Sequence, residues 1–122
     1  MNSSNKALIY ACSGCSNVGQ LANAIALDLH RDGYGEMGCI AGVGGDIPSH
    51  IKLASSGRPI LSIDGCPMEC VRRCLERHGV ASAHHMTLSD LGIQKNKTEP
   101  FNETERKALT VHLKKELAPK NN

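Results

Sequence analysis

The sequence predicts an α/β fold, a three-layer sandwich built on a mostly parallel sheet of about four strands. Two observations point there. Short continuous apolar runs alternate along the chain with segments of helical periodicity, the signature of successive βαβ units. Three cysteines also recur at a constant interval. Cys12 to Cys39 and Cys39 to Cys66 are each 27 residues, close to one βαβ period.

Ala7-Leu8-Ile9-Tyr10-Ala11 is a short apolar run ended by Ser13-Gly14 and reads as a buried first strand, with Cys12 at its end. Val18, Leu21, Ala22, Ile25, Ala26 and Leu29 then repeat at helical spacing, with Ser16 or Asn17 as N-cap and Gly33 as the stop. Glu36 to Ala41 is a weaker, glycine-flanked strand that carries Cys39 and runs into a loop, Gly42-Val43-Gly44-Gly45. Asp46 and Pro48 open a short helix through Ile51, Leu53 and Ala54, closed at Gly57. Pro59 to Ile63 is the third strand and ends at Asp64-Gly65-Cys66. Pro67 stands where a first helical residue would, so the next helix is expected from there through Val71 and Leu75 to Gly79.

A fourth strand falls within Ala83 to Leu88. Residues 94–101 read as a polar linker. Asn102 and Glu105 then form a capping pair for a last amphipathic helix, over about 102–117, using Ala108, Leu109, His112 and Leu117. Lys114 and Lys115 suit its C-terminal dipole. The 122 residues are expected to form one domain, with its core at about 7–93. Successive βαβ units require right-handed crossovers, so the expected topology is Rossmann-like or flavodoxin-like.

Composition narrows the partners. The chain is 40% hydrophobic and 21% charged, as in ordinary globular proteins. With one Phe, two Tyr and no Trp, it lacks the stacking platforms of single-strand nucleic-acid binders. A formal net charge of +2, with many basic residues after Lys95, describes a solvated helix face rather than a phosphate-binding groove. No nucleic-acid partner is expected. The N-terminal apolar run is too short for a signal peptide, and no stretch approaches the ~20 apolar residues that span a bilayer. The expectation is therefore a cytoplasmic protein without a membrane partner. In that reducing compartment, six cysteines indicate metal binding or thiol chemistry more often than structural disulfides.

The cysteines also have a common place. In a parallel sheet the carboxyl ends of the strands share one edge, where ligands bind, so Cys12, Cys39 and Cys66 are expected to converge there. Cys70 and Cys74 follow Cys66 by four and eight residues, which on a helix from Pro67 puts all three on roughly one side. A helix N-terminus stabilises a thiolate, the form that binds metal. The competing reading is burial, since free cysteine packs like a small hydrophobe. That reading suits Cys74 best. Cys15 makes a CxxC with Cys12 in a Ser-Gly turn and stays open.

Several segments resemble a known family. They are Cys12-Ser13-Gly14, Ser16-Asn17-Val18-Gly19-Gln20-Leu21-Ala22, Cys39-Ile40-Ala41-Gly42-Val43-Gly44-Gly45, Asp64-Gly65-Cys66-Pro67-Met68-Glu69-Cys70 and Leu88-Ser89-Asp90-Leu91-Gly92. From Leu8 to Leu91 the chain resembles the DGC-domain proteins, described as zinc-binding and named for the motif at Asp64-Gly65-Cys66. The resemblance implies a metal site of four cysteines, mapping onto Cys12, Cys39, Cys66 and Cys70, with zinc as the expected ion. Cys15 and Cys74 are additions beyond that set. Four thiolates would close a tetrahedral site, whereas three would leave a position open. Tetrathiolate sites also suit iron or an iron–sulfur cluster, which remain alternatives.

Other motifs have plainer readings. Asp64 suits a helix cap better than a ligand, and Gly65 a sharp strand-to-helix turn. The Gly42–Gly45 segment lacks the Lys-Ser/Thr of a phosphate loop and reads as a tight turn. His84 and His85 alternate faces on a strand, so at most one reaches the edge, and His78 suits a helix C-terminus. Cys66 and Arg72 match the CX5R spacing of cysteine phosphatases, but a helix from Pro67 would remove the required loop. Two alternatives to a zinc-binding protein remain. One is a thiol–disulfide oxidoreductase or redox sensor using Cys12 and Cys15; the other is a metal-delivery or protein-interaction module.

Overall fold

A computed structural model describes residues 6–117. Its sheet contains β1 (Leu8–Ala11), β2 (Glu36–Met37), β3 (Ile60–Asp64) and β4 (His84–Thr87). All pairings are parallel, in the order β2-β1-β3-β4. Of the two expected topologies this is the flavodoxin-like one, in which the second strand lies on one side of the first and the third on the other.

Alternation along the strands builds two cores. Ile9, Ala11, Leu61 and Ile63 face α1 (Asn17–Arg31), which contributes Val18, Leu21, Ala22, Ile25, Ala26 and Leu29. Leu8, Tyr10 and Ile60 face the opposite way. They meet Val43 of α2 (Ile40–Gly44), Ala54 of α3 (Pro48–Ala54), and Val71 and Leu75 of α4 (Cys70–Arg77). The result is the expected three-layer sandwich. Leu21, Ile25 and Leu29 are completely buried, each worth about 2 kcal/mol in area removed from water. Ser16 caps α1 by accepting from the Gly19 amide at 3.1 Å, and Gly33 follows it at φ 82°.

Two expected elements differ. The second strand stops at Met37, and Cys39 becomes the N-cap of α2 instead of a strand residue. The Gly42–Gly45 segment is thus mostly helix, not loop. Tertiary packing explains both changes in this segment. Val43 is drawn completely into the core of Leu8, Tyr10 and Ile60, while a Cβ on Gly38 or Gly42 would lie 2.6 Å from the Tyr10 ring or 2.3 Å from the His50 ring. These glycines permit close approach rather than a turn. The second difference is α4, which begins at Cys70, not Pro67. Residues 66–69 form a turn closed by Glu69 N–H donating to the Cys66 carbonyl at 3.0 Å.

After β4, a 3₁₀ turn (Leu88–Leu91) leads to the 94–101 segment and α5 (Glu103–Leu117), capped by Asn102 Oδ1. The inward face of α5 carries Leu109, Thr110, Leu113 and Leu117, whereas Ala108 and His112 are exposed. A polar lock sets this rotation. Arg106 holds Asp28 of α1 through two bonds of 2.7 and 2.9 Å, and Thr110 adds a third at 3.1 Å. No helix among the described residues is long and apolar enough to cross a membrane.

The lock makes stability depend on pH. Hydrogen bonding from Arg106 holds the Asp28 carboxyl below its ordinary range. Its contribution is complete above the unfolded aspartate value and is lost as pH falls through the lowered folded value. Both groups are partly exposed, so about 1 kcal/mol is at stake. Wild type should therefore exceed Asp28→Asn by about that amount at neutral pH in denaturant titrations, with the gap closing in acid.

Candidate metal centre

The cysteines expected at the sheet edge are there in backbone terms. Cys12 follows β1 directly, while Cys39 and Cys66 each follow β2 and β3 after one glycine. With the strands ordered β2-β1-β3, the three positions run side by side as Cys39, Cys12, Cys66. The chain leaves β1 for the α1 face and leaves β3 for the α4 face. The crevice between those departures is the topological switch point, the usual ligand position in open α/β sheets. Cys12 and Cys66 flank it.

Their surroundings differ. Cys12 is half-buried and packs against both cores, and its amide donates to Ile63 at 3.0 Å. Burial pushes its thiol up, the Gly65 amide opposes the shift, and Asp64 and Cys70 raise it further. Cys12 therefore lies within electrostatic reach of Cys70, the exposed first residue of α4. Cys66 is half-buried, and its sulfur lies 3.7 Å from Lys95 Nζ. Cys39 is exposed and lines a cleft of about 530 Å³ with Met37, Ile40, His50 and Leu53.

All six cysteines are unbridged. Cys74 is half-buried in the α2–α4 packing, where a Cβ on Gly44 would lie 3.1 Å from its sulfur. Cys15 is exposed and lines a separate cleft with Gln20 and Phe101. Among the described residues, no three Cys, His, Asp or Glu side chains form a group arranged to hold a metal ion. The donor chemistry fits a thiophilic cation; the side chains of the four cysteines do not converge as they stand.

Asp64 caps α4 from a distance. It is completely buried, and its two oxygens accept from the amides of Val71 at 2.9 Å and Arg72 at 3.1 Å. Burial raises its carboxyl, and these two donors oppose that shift. The same bonds dispose of the CX5R resemblance on different grounds from those expected. A non-helical turn does follow Cys66, but the amides of Val71 and Arg72 are already committed to Asp64.

Two participants carry no local signal for this edge, and a third, His85, is one of the two histidines of which at most one is expected there. Lys95, placed in the polar linker, is carried to Cys66 because Asn17 ties residues 94–96 to the start of α1. Asn17 Nδ2 donates to Gln94 at 2.9 Å, Asn96 N–H to Asn17 Oδ1 at 2.6 Å, and Asn17 N–H to Asn96 at 2.8 Å. Glu69 adopts a left-handed backbone, φ 49°. His85, not His84, turns inward, since its register partner is the buried Ser62. Strand alternation could have separated the two histidines; nothing local marks Lys95 or Glu69. His78 ends α4 as expected, with Nε2 3.1 Å from the Val43 carbonyl.

A flavodoxin-like sheet with cysteines at three consecutive strand ends defines an α/β protein with a thiol-rich switch point. Residues 8–113 match the DGC domain, and the chain belongs to that family. It is 53% identical over 112 residues to the Anaerobic and virulence modulator AnvM of Pseudomonas aeruginosa, an alignment covering 92% of this chain and 86% of the relative. No solved structure matches the chain.

Proposed function

We propose that this protein is a cytoplasmic, single-domain zinc-binding protein whose ligands are Cys12, Cys39, Cys66 and Cys70. The observation carrying the proposal is the backbone placement of three cysteines at adjacent strand ends, with a fourth at the start of α4. Thiolate sulfur suits zinc. When bound, zinc would supply a cross-link between the two faces of the sheet. Cys12 contributes from the α1 side, Cys70 from the α4 side, and gathering them couples metal binding to folding.

Elemental analysis of untagged, anaerobically purified protein tests the proposal. The expected result is about one zinc per chain, as a single tetrahedral site requires, lost in both Cys12→Ser and Cys66→Ser. Chelation should lower Tm by roughly 6–18 °C, because the ~2–3 kcal/mol contributed by a ligand near 100 times its Kd moves a chain of this length by roughly 3–6 °C per kcal/mol. No stoichiometric zinc, or serine variants that retain it, would overturn the proposal. Iron in place of zinc would redirect it to the alternative cofactor.

A redox role for Cys12 and Cys15 is the second reading, favoured by the exposure of Cys15 and by the relative's name as an anaerobic modulator. Its weakness is electrostatic. Burial raises the Cys12 thiol, opposite to the depressed thiol of a helix-capping redox cysteine. A reversible two-electron couple lost in Cys15→Ser, in metal-free protein, would favour this reading.

A further inference from the structure

A continuous hydrogen-bond chain runs from the interior of the sheet to the residue before Cys70. Ser82 Oγ donates to Ser62 Oγ at 2.8 Å. Ser62, completely buried, meets His85 Nδ1 at 2.6 Å. His85 Nε2 lies 3.1 Å from Glu69 Oε2 and 2.9 Å from Thr87 Oγ1, and Thr87 donates to the same Glu69 oxygen at 2.8 Å. One tautomer of His85, protonated on Nε2, satisfies every link, with each hydroxyl donating along the chain and the carboxylate as terminus. The network is buried at Ser62 and partly exposed at His85 and Glu69, and with every member satisfied it fixes geometry.

What the chain holds is an unfavourable backbone. Glu69 has φ 49° and ψ 53°, a conformation that an L-residue with a long side chain seldom adopts without external support. It makes no side-chain cap of its own helix; that task falls to Asp64. One oxygen of the Glu69 carboxylate reaches back to β4, while the other accepts from Arg72 of α4 at 3.4 Å. The Glu69 backbone meanwhile turns the chain from Cys66 into α4, and Cys70 is the next residue.

We propose that Glu69 is a positioning residue for the thiol site. Its carboxylate, anchored by Thr87 and His85, fixes the Cys66–Cys70 turn and so sets Cys70 relative to Cys12 and Cys66. Ser62 and Ser82 hold the His85 ring that anchors it. The metal-binding consequence rests on the function proposed above; the fixing of the turn does not.

Glycine and glutamine at position 69 separate side-chain anchoring from backbone strain. Glycine accepts φ > 0 freely but carries no anchor, while glutamine keeps an acceptor for Thr87 and His85. In the full chain, Glu69→Gly should leave the Tm of the metal-free protein unchanged or higher. It should also weaken zinc binding about 10-fold, the scale of losing a supporting contact behind a metal ligand, measured by competition with a chromophoric chelator. Amide deuterium exchange should accelerate at residues 66–72 and stay unchanged at Leu75. Glu69→Gln should recover most of the affinity and the protection, and His85→Phe should reproduce the glycine phenotype locally.

Wild-type affinity and exchange in Glu69→Gly would overturn the proposal, as would losses that simply follow Tm in all three variants. If wild type binds no zinc but Glu69→Gly still speeds exchange at 66–72, the zinc reading falls and the positioning role stands. If wild type binds zinc, and Glu69→Gly binds it equally with wild-type exchange at 66–72, the reverse holds.

Discussion

Replacing Gly65 with alanine is expected to cost about 3 kcal/mol, the upper part of the usual overpacking range, and to lower Tm by roughly 10–18 °C at this chain length. A Cβ built on Gly65 would sit 2.8 Å from the Val18 carbonyl carbon and 2.9 Å from both the Gly19 nitrogen and the Val18 oxygen. All three are main-chain atoms of the first turn of α1, so no rotamer change relieves the contact. The reason is steric alone, because Gly65 is not among the positive-φ glycines. Either α1 lifts from the sheet, exposing Val18 and Leu21, which are fully buried between α1 and the sheet, or β3 shifts at its carboxyl end.

The second route also disturbs the site. The Gly65 amide opposes the upward shift of the Cys12 thiol, and its carbonyl accepts from Ser89 at 3.1 Å. Equilibrium denaturation by two probes, with coincident transitions, measures the loss. A Gly65→Ala protein within ~0.5 kcal/mol of wild type, the scale of an inconsequential surface change, would show that α1 adjusts freely. The central residue of the Asp-Gly-Cys motif is thus explained by how closely α1 approaches β3, without any appeal to the metal.

Local pattern made the sheet and the thiol edge readable, and it failed where a distant residue decides the outcome. β1 and α1 declare themselves because their burial follows periods of continuous and 3.6-residue spacing, with Ser16 and Gly33 marking the helix ends. The 27-residue spacing of cysteines correctly anticipated consecutive strand ends. By contrast, Cys39–Gly45 resembles the end of a strand followed by a turn. It folds as α2 because Val43 has a core to enter and because Gly38 and Gly42 let Tyr10 and His50 pack against it.

The face of α5 was misjudged for a similar reason. Helical spacing groups Ala108 and His112 with Leu109 and Leu117, of which only the two leucines face inward; the partner surface on α1 presents Asp28, so Arg106 and Thr110 set the rotation. Side-chain direction at the cysteines was the least legible property. Spacing places their Cα atoms along one edge; it does not tell that Cys66 turns toward Lys95 or that Cys39 lines its own cleft.

The start of α4 is the sharpest case, and it yields the second large effect. Proline at a first helical position is a sound local signal, yet α4 begins three residues later, where Asp64 captures the amides of Val71 and Arg72. Asp64→Ala is expected to destabilise the protein by about 3 kcal/mol. Losing an N-cap acceptor costs ~1 kcal/mol, and the buried Val71 amide, left without a partner, adds ~1–3 kcal/mol. Removing a carboxylate whose own burial is unfavourable, as its raised pKa records, offsets part of that sum.

Asp64→Asn divides these effects. Its carbonyl oxygen satisfies one amide, while its NH₂ faces the other as a second donor, so a loss between wild type and alanine is expected. Deuterium exchange at Val71 and Arg72 should rise in the order wild type, asparagine, alanine, together with falling stability in denaturant. If Asp64→Ala proved as stable as wild type, the helix would have another route to satisfy its first turn. Because Cys70 opens that turn, the proposed zinc-binding role predicts that the alanine variant also loses zinc affinity, whereas its unfolding can be measured in metal-free protein. The acidic residue of the motif thereby acts on the thiol edge through the helix it starts, and Glu69 through the turn that leads into it.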